Sequence, residues 1–355
     1  MDPDAYAVWL KARHARWTFS ASRAPARAPA PPRAPPPARA GAAPAPPSPA
    51  GLVNPGAQCY ANAALSLLLH VMAAHGTPLH AALRDGAPAG GVLWGALRDL
   101  DVRLRAGGAP ARLPAPLIAW RGGGGFGVNY PHDAAEYLMD LLDRLQVRAR
   151  APARARAHTR PRCAQAETPL RHGADPIAET LGTSWVSTLT CSRCGGGSRT
   201  ARDVICTPVS LNGARAGSAL QLLDLLCTVC ETDADYACAA CGTRAVQHKV
   251  ETCGPPAPPV LLFHIHRFHP GSHVRWDGDV GYPLTLRGPG DVQYELAGGV
   301  LHIAEIAHYV AFAACGAERT WRSFNDSDVR HIRPPQVGPA PGSVSLVAYT
   351  RARGV

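Results

Sequence analysis

GAQCYANAALSLLLH, residues 56–70, carries Cys59 at the point where a glycine-containing turn gives way to an apolar, helix-like run. A helix over 60–73 places the Cys59 thiol near the positive end of the helix dipole, which favours the thiolate. Asn54, five residues earlier, offers a side-chain amide to a developing oxyanion. The stretch fits a nucleophilic cysteine, although a packed and unreactive thiol is the alternative while the stretch is considered alone.

A thiol nucleophile also needs a histidine base and a group that orients it. His308 begins the strand-like segment HYVAFAA, and Asn325 and Asp326 follow the strand-like WRSF in a turn. Two neighbouring strands, one beginning with histidine and the next ending in asparagine and aspartate, would set the base against its orienting residue. Taken singly, these residues also fit an ordinary strand histidine and an ordinary turn.

Four other cysteines form two CxxCG pairs: Cys191 with Cys194, and Cys238 with Cys241. A two-residue spacer lets both thiolates face one ion, and the following glycine permits a tight backbone turn. The pairs predict one structural zinc ion. With four sulfur ligands the ion has no open coordination position for catalysis. A third pair, Cys227 and Cys230, lacks the glycine and follows a leucine run that looks helical, so it stays open whether this pair binds metal.

The composition indicates the cellular compartment of the protein, but it does not indicate a binding partner. The 355 residues include an odd number of cysteines, 11, and no signal-peptide pattern or membrane-spanning apolar run is evident. We therefore expect a cytoplasmic or nuclear protein whose cysteines bind metal or react, and do not form disulfides. The net charge of +10 comes almost wholly from arginine, with lysine only at Lys11 and Lys249. A GC-rich genome explains this bias together with the excess of alanine, proline and glycine.

The chain divides into three parts by composition. Residues 1–20 hold a possible short helical motif, and 21–50 form a Pro/Ala/Arg-rich tract that we expect to be a disordered linker. A single catalytic domain is expected over 51–355, with an arginine-rich, exposed insertion near 147–162.

Within that domain, helical patterns precede strand patterns. Apolar spacing predicts helices over 60–73, 92–104 and 133–145, the last with Asp133 as its N-cap. After residue 180 the chain favours strands, in segments such as SWVSTLTC, PVLLFHIHRF and SVSLVAYTR. Helices first and strands later predict an α+β fold.

Several segments, in their order along the chain, resemble the ubiquitin-specific protease family of deubiquitinases. GLVNPGAQCYANAALSLLLH resembles its cysteine box, and HDAAEYLMDLLD resembles its Gln-Gln-Asp-Ala-His-Glu-Phe-Leu segment. YACAACGTRAVQHKV followed by PPVLLFHIHRF resembles the second zinc knuckle and the next strand, and HYVAF with WRSFNDSDV resembles the histidine box. The resemblance covers about 51–351 and implies a papain-like fold with thumb, palm and zinc-bearing fingers.

The resemblance also implies residue roles. Cys59 is then the nucleophile, His308 the base, Asn325 the orienting residue and Asn54 the oxyanion donor, while Asp326 could share or replace the role of Asn325. The zinc ligands are the four cysteines of the two CxxCG pairs: Cys191, Cys194, Cys238 and Cys241.

Asp133 matches an acidic residue that in relatives meets the arginine-bearing tail of ubiquitin, and a carboxylate can accept a charge-assisted bond from arginine. We assign Tyr309, the aromatic residue after His308, to the same substrate-binding site.

The chain departs from the family pattern at several positions: Gln58, Ala63, Pro131, His132, Ala307 and the short loop 302–308. None of these removes a catalytic residue. We expect them to affect loop flexibility and the preference among polyubiquitin chains.

We predict a thiol-dependent deubiquitinase that hydrolyses (iso)peptide bonds at the C-terminal glycine of ubiquitin. Its partners are ubiquitin and ubiquitinated proteins, and we expect a monomer that binds neither membrane nor nucleic acid. Two alternatives are a catalytically inactive ubiquitin-binding protein and a zinc-ribbon nucleic-acid binder. The intact Cys59, His308 and Asn325 argue against the first. The second explains the charge and the CxxC pairs but leaves Cys59 and His308 without a purpose.

Overall fold

The computed structural model describes residues 49–85, 91–118, 132–149, 175–211, 220–221, 230–232, 237–238, 240–244, 247–254, 257–267, 280–316, 318–333 and 344–352. Several predictions lie outside the described residues: those for 1–20, for 21–48, for most of the 147–162 insertion and for Cys227. Metal binding by Cys227 and Cys230 is therefore still an open prediction.

The described part of the chain contains five α-helices: α1 (Cys59–His75), α2 (Pro78–Asp85), α3 (Val92–Ala106), α4 (Ala134–Ala149) and α5 (Pro176–Leu181). Helices α1, α3 and α4 confirm the three helices predicted from apolar spacing. Almost every residue of α1 is buried, which explains why its sequence is apolar on all sides. No helix among the described residues is both long enough and apolar enough to cross a membrane.

Fourteen strands follow within the ranges that the structure describes, as the predicted α+β order requires: β1 (Thr183–Cys191), β2 (Gly197–Val204), β3 (Thr207–Ser210), β4 (Leu220–Gln221), β5 (Cys230–Thr232), β6 (Gln247–Gly254), β7 (Val260–His266), β8 (Val280–Gly281), β9 (Thr285–Arg287), β10 (Gln293–Ile303), β11 (His308–Cys315), β12 (Thr320–Asn325), β13 (Asp328–His331) and β14 (Val344–Arg351). Leu220 and Gln221, which begin the leucine run, form strand β4, which pairs in parallel with β8; the rest of the run lies outside the described residues. Short 3-10 turns cover Ala115–Leu117, Pro289–Asp291 and Ala304–Ile306.

The larger sheet has eight strands in the order β13-β12-β11-β10-β14-β7-β3, with β9 added beside β10. Helix α1 packs on β11 and β10, and apolar side chains from α1, α3 and α4 join those of the sheet in one core. Strands β11 and β12 are antiparallel neighbours with Ala311 opposite Phe324. This register brings His308, at the start of β11, next to Asn325, at the end of β12.

The smaller sheet has four strands in the order β2-β1-β6-β5. The cysteine pairs lie at the tips of two hairpins, since Cys191 ends β1 and an antiparallel bridge joins Ala237 to Arg244. Gly195 and Gly242 have φ values of 69° and 68°, and their N–H groups bond to the carbonyls of Cys191 and Cys238. Both glycines therefore make the tight left-handed turn that was predicted for them.

Candidate active site

Cys59 is the first residue of α1, with only 5% of its surface exposed. The turn before it is built by Asn54, whose Oδ1 accepts the backbone N–H groups of Gly56 (3.1 Å) and Gln58 (3.0 Å). Among the described residues, none accepts a hydrogen bond from the backbone N–H of Cys59. The helix terminus therefore offers a free N–H donor beside the thiol.

His308 lies between Cys59 and Asn325. Its Nε2 is 2.7 Å from Asn325 Oδ1. Because an amide oxygen only accepts, Nε2 carries the proton in this contact and Nδ1 is the ring nitrogen left for the hydrogen bond with Cys59. Burial lowers the pKa of His308, but the hydrogen bonds to Cys59 and Asn325 and the charges of Cys59 and Asp326 outweigh it and raise the pKa above its ordinary value.

Asp326 connects the cysteine-bearing segment to the β12–β13 turn. Its carboxylate accepts Nδ2 of Asn54 at 3.0 Å and Nδ2 of Asn62 at 2.7 Å. It also lies 3.9 Å from His308 Nε2, and its backbone carbonyl accepts the N–H of Leu52 at 2.8 Å. The closer partner of the histidine is therefore Asn325, while Asp326 holds the two asparagines that flank Cys59.

Sequence reasoning gave no role to Asn62. A signal for it was available, since a residue three positions after Cys59 lies on the same side of a helix. The side-chain amide of Asn54 donates one N–H to Asp326. Its second N–H is therefore the one that can donate to an oxyanion.

Ala307 precedes the histidine with φ 47° and ψ 47°, in the left-handed region. A side chain in this region raises the conformational free energy by about 1 kcal/mol relative to glycine. Ala307, which stands where the family pattern has glycine, is therefore a strained residue at the edge of the site. Its carbonyl oxygen lies 4.0 Å from Cys59 Sγ. The other departure beside the thiol, Gln58, is 2% exposed and makes no side-chain cap on α1.

Asp133 and Tyr309 contact each other directly. Asp133 caps α4 as predicted, because its Oδ1 accepts the N–H groups of Ala135 (2.8 Å) and Glu136 (3.0 Å). Its Oδ2 accepts the Tyr309 hydroxyl at 3.1 Å. His264, a residue that sequence reasoning left without a role, lies 3.9 Å from the carboxylate, and burial lowers its pKa to about 4.

The four cysteines of the two CxxCG pairs meet in space. Their Sγ atoms all lie within 4.8 Å of one another, with Cys194 and Cys238 at 3.7 Å and Cys191 and Cys241 at 4.0 Å. A tetrahedral site with metal–sulfur bonds of about 2.3 Å needs sulfurs about 3.8 Å apart. The residues present therefore fit one metal ion.

The turns also prepare sulfurs for a metal. Backbone N–H groups of Cys194 and Arg193 lower the pKa of Cys191. The backbone N–H and hydroxyl of Thr243 lower the pKa of Cys241 to about 6. Metal binding requires thiolates, so these two shifts favour it, while the neighbouring sulfurs raise the pKa of Cys194 to about 12.

Comparison with known proteins agrees with these observations. The family model of ubiquitin carboxyl-terminal hydrolases matches residues 126–344, a range that includes His308, Asn325 and the metal-site cysteines and begins after Cys59. No curated protein sequence matches the chain.

Solved structures with a similar fold include a yeast SAGA DUBm with an Sgf73 mutant, with 20% identity, a TM-score of 0.62, and coverage of 86% of this chain and 69% of that chain. Another is a SAGA DUB module of Ubp8, Sgf11, Sus1 and Sgf73 bound to monoubiquitin, with 17% identity, a TM-score of 0.60, and coverage of 86% and 70%. At these identities the structures show a shared fold. Because the family model covers more than half of the 355 residues, the chain belongs to the ubiquitin carboxyl-terminal hydrolase family, as the resemblance to ubiquitin-specific proteases predicted.

Proposed function

We propose that this chain is a cysteine-type deubiquitinase that cleaves (iso)peptide bonds after the C-terminal glycine of ubiquitin. The observation that carries the proposal is the His308 imidazole, whose Nε2 lies 2.7 Å from Asn325 Oδ1 and whose pKa the neighbouring Cys59 raises. A thiol, a base and an orienting amide brought together in this way suit nucleophilic attack on an acyl carbon.

The reaction begins when His308 takes the Cys59 proton, which the raised His308 pKa favours. The thiolate attacks the carbonyl carbon of the terminal glycine and forms a tetrahedral oxyanion. The free N–H of Cys59 and the second N–H of Asn54 are the available donors for that oxyanion. His308 then protonates the leaving amine, and the acyl group stays on sulfur as a thioester. Water, deprotonated by His308, cleaves the thioester and regenerates the thiol.

Asn325 and Asp326 have different tasks in this mechanism. Asn325 accepts the Nε2 proton and so holds Nδ1 towards the thiol. Asp326 aims Asn54 and fixes Asn62 on the first turns of α1, which keeps the oxyanion donors and the nucleophile in one rigid arrangement.

We assign the metal at the four cysteines as zinc, because a set of four thiolates suits a closed tetrahedral zinc site. When bound, the ion braces the two hairpins of the smaller sheet and supplies no chemistry to Cys59. Cys191, Cys194, Cys238 and Cys241 would hold it.

Ubiquitin and ubiquitinated proteins are the proposed partners. The family and the monoubiquitin bound to the structurally similar SAGA DUB module support this choice. The expected monomeric state and the cytoplasmic or nuclear location are further parts of the proposal.

Hydrolysis of a fluorogenic reporter at the C-terminus of ubiquitin tests the function. The wild-type chain should cleave it, Cys59→Ala should abolish cleavage, and Cys315→Ala should not, because this half-buried thiol lies outside the site. Cleavage by Cys59→Ala at the wild-type rate would contradict the assignment. A wild-type chain that binds ubiquitin without cleaving it, and without reacting with an electrophilic ubiquitin probe, would establish the inactive alternative.

A further inference from the structure

The N-terminus of α4 is capped by Asp133, and a residue far away in the sequence holds this cap. Asp133 Oδ1 accepts the N–H groups of Ala135 and Glu136. The hydroxyl of Tyr309 donates to the other carboxylate oxygen, Asp133 Oδ2, at 3.1 Å. Tyr309 therefore ties strand β11 to the cap of α4.

The Tyr309 ring is also fixed, by burial and by stacking. Its exposed fraction is 5%, and it stacks on His302, its cross-strand partner on β10, with ring centroids 4.5 Å apart. Burial raises the pKa of Tyr309, and the negative charge and hydrogen bond of Asp133 raise it further. The hydroxyl thus stays protonated and keeps donating to the carboxylate.

Tyr309 is also the next residue after His308 on β11. Successive residues of a strand point to opposite faces, so the bond of Tyr309 to the α4 cap and the bond of His308 to Asn325 hold the same backbone from two sides. The strand needs such support here, because the residue before His308 is Ala307 in the left-handed region. A strand whose first residues drift would carry the imidazole away from Cys59.

We propose that Tyr309 is a positioning residue for His308: its hydroxyl, which donates to the Asp133 carboxylate, fixes the start of β11 on the N-terminus of α4. This role rests on the proposed function, since it concerns the alignment of His308 with Cys59. It gives Asp133 a second task that differs from the predicted contact with the arginine-bearing tail of ubiquitin. Three of the acceptor positions of Asp133 are used inside the protein, two on Oδ1 and one on Oδ2, so about one position on Oδ2 is left for an arginine.

Steady-state hydrolysis of the ubiquitin reporter by Tyr309→Phe and Asp133→Asn separates the two roles. Tyr309→Phe keeps the ring and its stacking on His302 but loses the hydroxyl. A hydrogen bond contributes about 0.5–1.5 kcal/mol, so kcat should fall by about three- to tenfold with KM within about twofold. Asp133→Asn keeps a good helix cap but gives the Tyr309 hydroxyl a neutral, weaker acceptor in place of the carboxylate, so kcat should fall by about two- to threefold with KM within about twofold.

The opposite pattern would overturn the proposal. If Asp133→Asn raises KM more than tenfold while Tyr309→Phe leaves kcat unchanged, Asp133 acts by binding a cationic substrate residue and Tyr309 positions nothing. A Tyr309→Phe loss that appears in KM alone contradicts the positioning role in the same way.

A double variant protects the test against a general loss of stability. If both residues act through their shared hydrogen bond, Tyr309→Phe with Asp133→Asn should lose no more kcat than Tyr309→Phe alone. Losses that multiply would show independent effects and refute the shared role. A wild-type chain without reporter cleavage would contradict the proposed function itself, which is a different outcome from an active wild type that tolerates Tyr309→Phe.

Discussion

The side-chain oxygen of Asn325 lies 2.7 Å from Nε2 of His308, and the charged neighbour Asp326 lies farther away, at 3.9 Å. A neutral amide thus orients the ring, and the adjacent carboxylate adds only a longer-range field. This division leaves the Asp326 carboxylate free to bind Asn54 and Asn62, which it does. The two adjacent residues therefore support the base and the nucleophile separately.

Replacement of Asn325 by alanine should change both the rate and its pH dependence. The hydrogen bond to Asn325 is one of the interactions that raise the His308 pKa, so its loss lowers that pKa. The reaction needs protonated His308 beside a thiolate, so activity is lost as the pH rises through the His308 pKa. A lower His308 pKa should therefore move the alkaline limb of the pH–activity profile to lower pH. We also expect kcat to fall, by up to about 10⁴-fold, because the imidazole loses the partner that fixes its tautomer and orientation. A kcat/KM profile over the alkaline range measures both effects, and an unshifted limb would contradict the assignment.

Replacement of Asp326 by asparagine should impair both activity and stability. Asn54 and Asn62 would lose a charged acceptor, and such hydrogen bonds contribute about 1.5–3 kcal/mol. Asp328→Asn is the matched control, because Asp328 pairs with Arg330 at 2.6 Å but is 42% exposed, and exposed ion pairs contribute about 0–1 kcal/mol. Urea unfolding should show the larger loss of stability for Asp326→Asn, and reporter hydrolysis should show the larger loss of activity for the same variant. Equal effects of the two would show that Asp326 has no special role.

The helices and strands were predictable because each buries a regular pattern. The apolar spacing in α1 and α4, and the Asp133 cap, are local properties of the sequence. The distant pairing of Cys59 with His308 came from the family resemblance, since no local pattern joins residues so far apart.

The contacts of Asp326 and Tyr309 were not predictable in this way. Asp326 was assigned beside Asn325, but its bonds to Asn54 and Asn62 depend on how the β12–β13 turn docks against the segment before α1. The bond of Tyr309 to the α4 cap depends likewise on the packing of β11 against that helix.

Glycine at position 307 should relieve strain. Ala307 has φ 47°, a region that glycine enters at no steric cost, so Ala307→Gly should leave the stability unchanged or raise it by up to about 1 kcal/mol. Ala311→Gly, in the buried middle of the strand that begins at His308, should instead lower the stability by about 1 kcal/mol. Denaturant unfolding of both variants gives the comparison. A clear loss of stability in Ala307→Gly would mean that the turn carries no strain.

The metal site should hold one zinc ion per chain and stabilise the smaller sheet. Metal analysis of the purified chain tests the stoichiometry, because four sulfurs within 4.8 Å leave room for one ion. Cys238→Ser should lose the metal and lower the unfolding temperature, whereas Cys315→Ser should retain the metal, since Cys315 lies outside the cluster. Full metal content in Cys238→Ser would exclude the four-cysteine site.

Acid should destabilise the fold through His70. Its ring stacks on Phe324 at 4.4 Å, and within the described part of the chain its buried Nε2 has no hydrogen-bond partner. Burial, and then the charges of Arg105 and Arg322, lower its pKa to about 4. The folded state therefore binds this proton later than the unfolded chain does, and stability is lost as the pH falls from about 6.5 towards 4, by up to about 3 kcal/mol.

His70→Phe keeps a ring against Phe324 and removes the titrating group. Urea unfolding at a series of pH values should show a flatter acid limb for this variant than for the wild type. Some slope should remain, because burial also lowers the pKa of His264 to about 4. If both proteins lose stability in parallel between pH 6.5 and 4, the proton uptake lies elsewhere and His70 is not the group that limits acid stability.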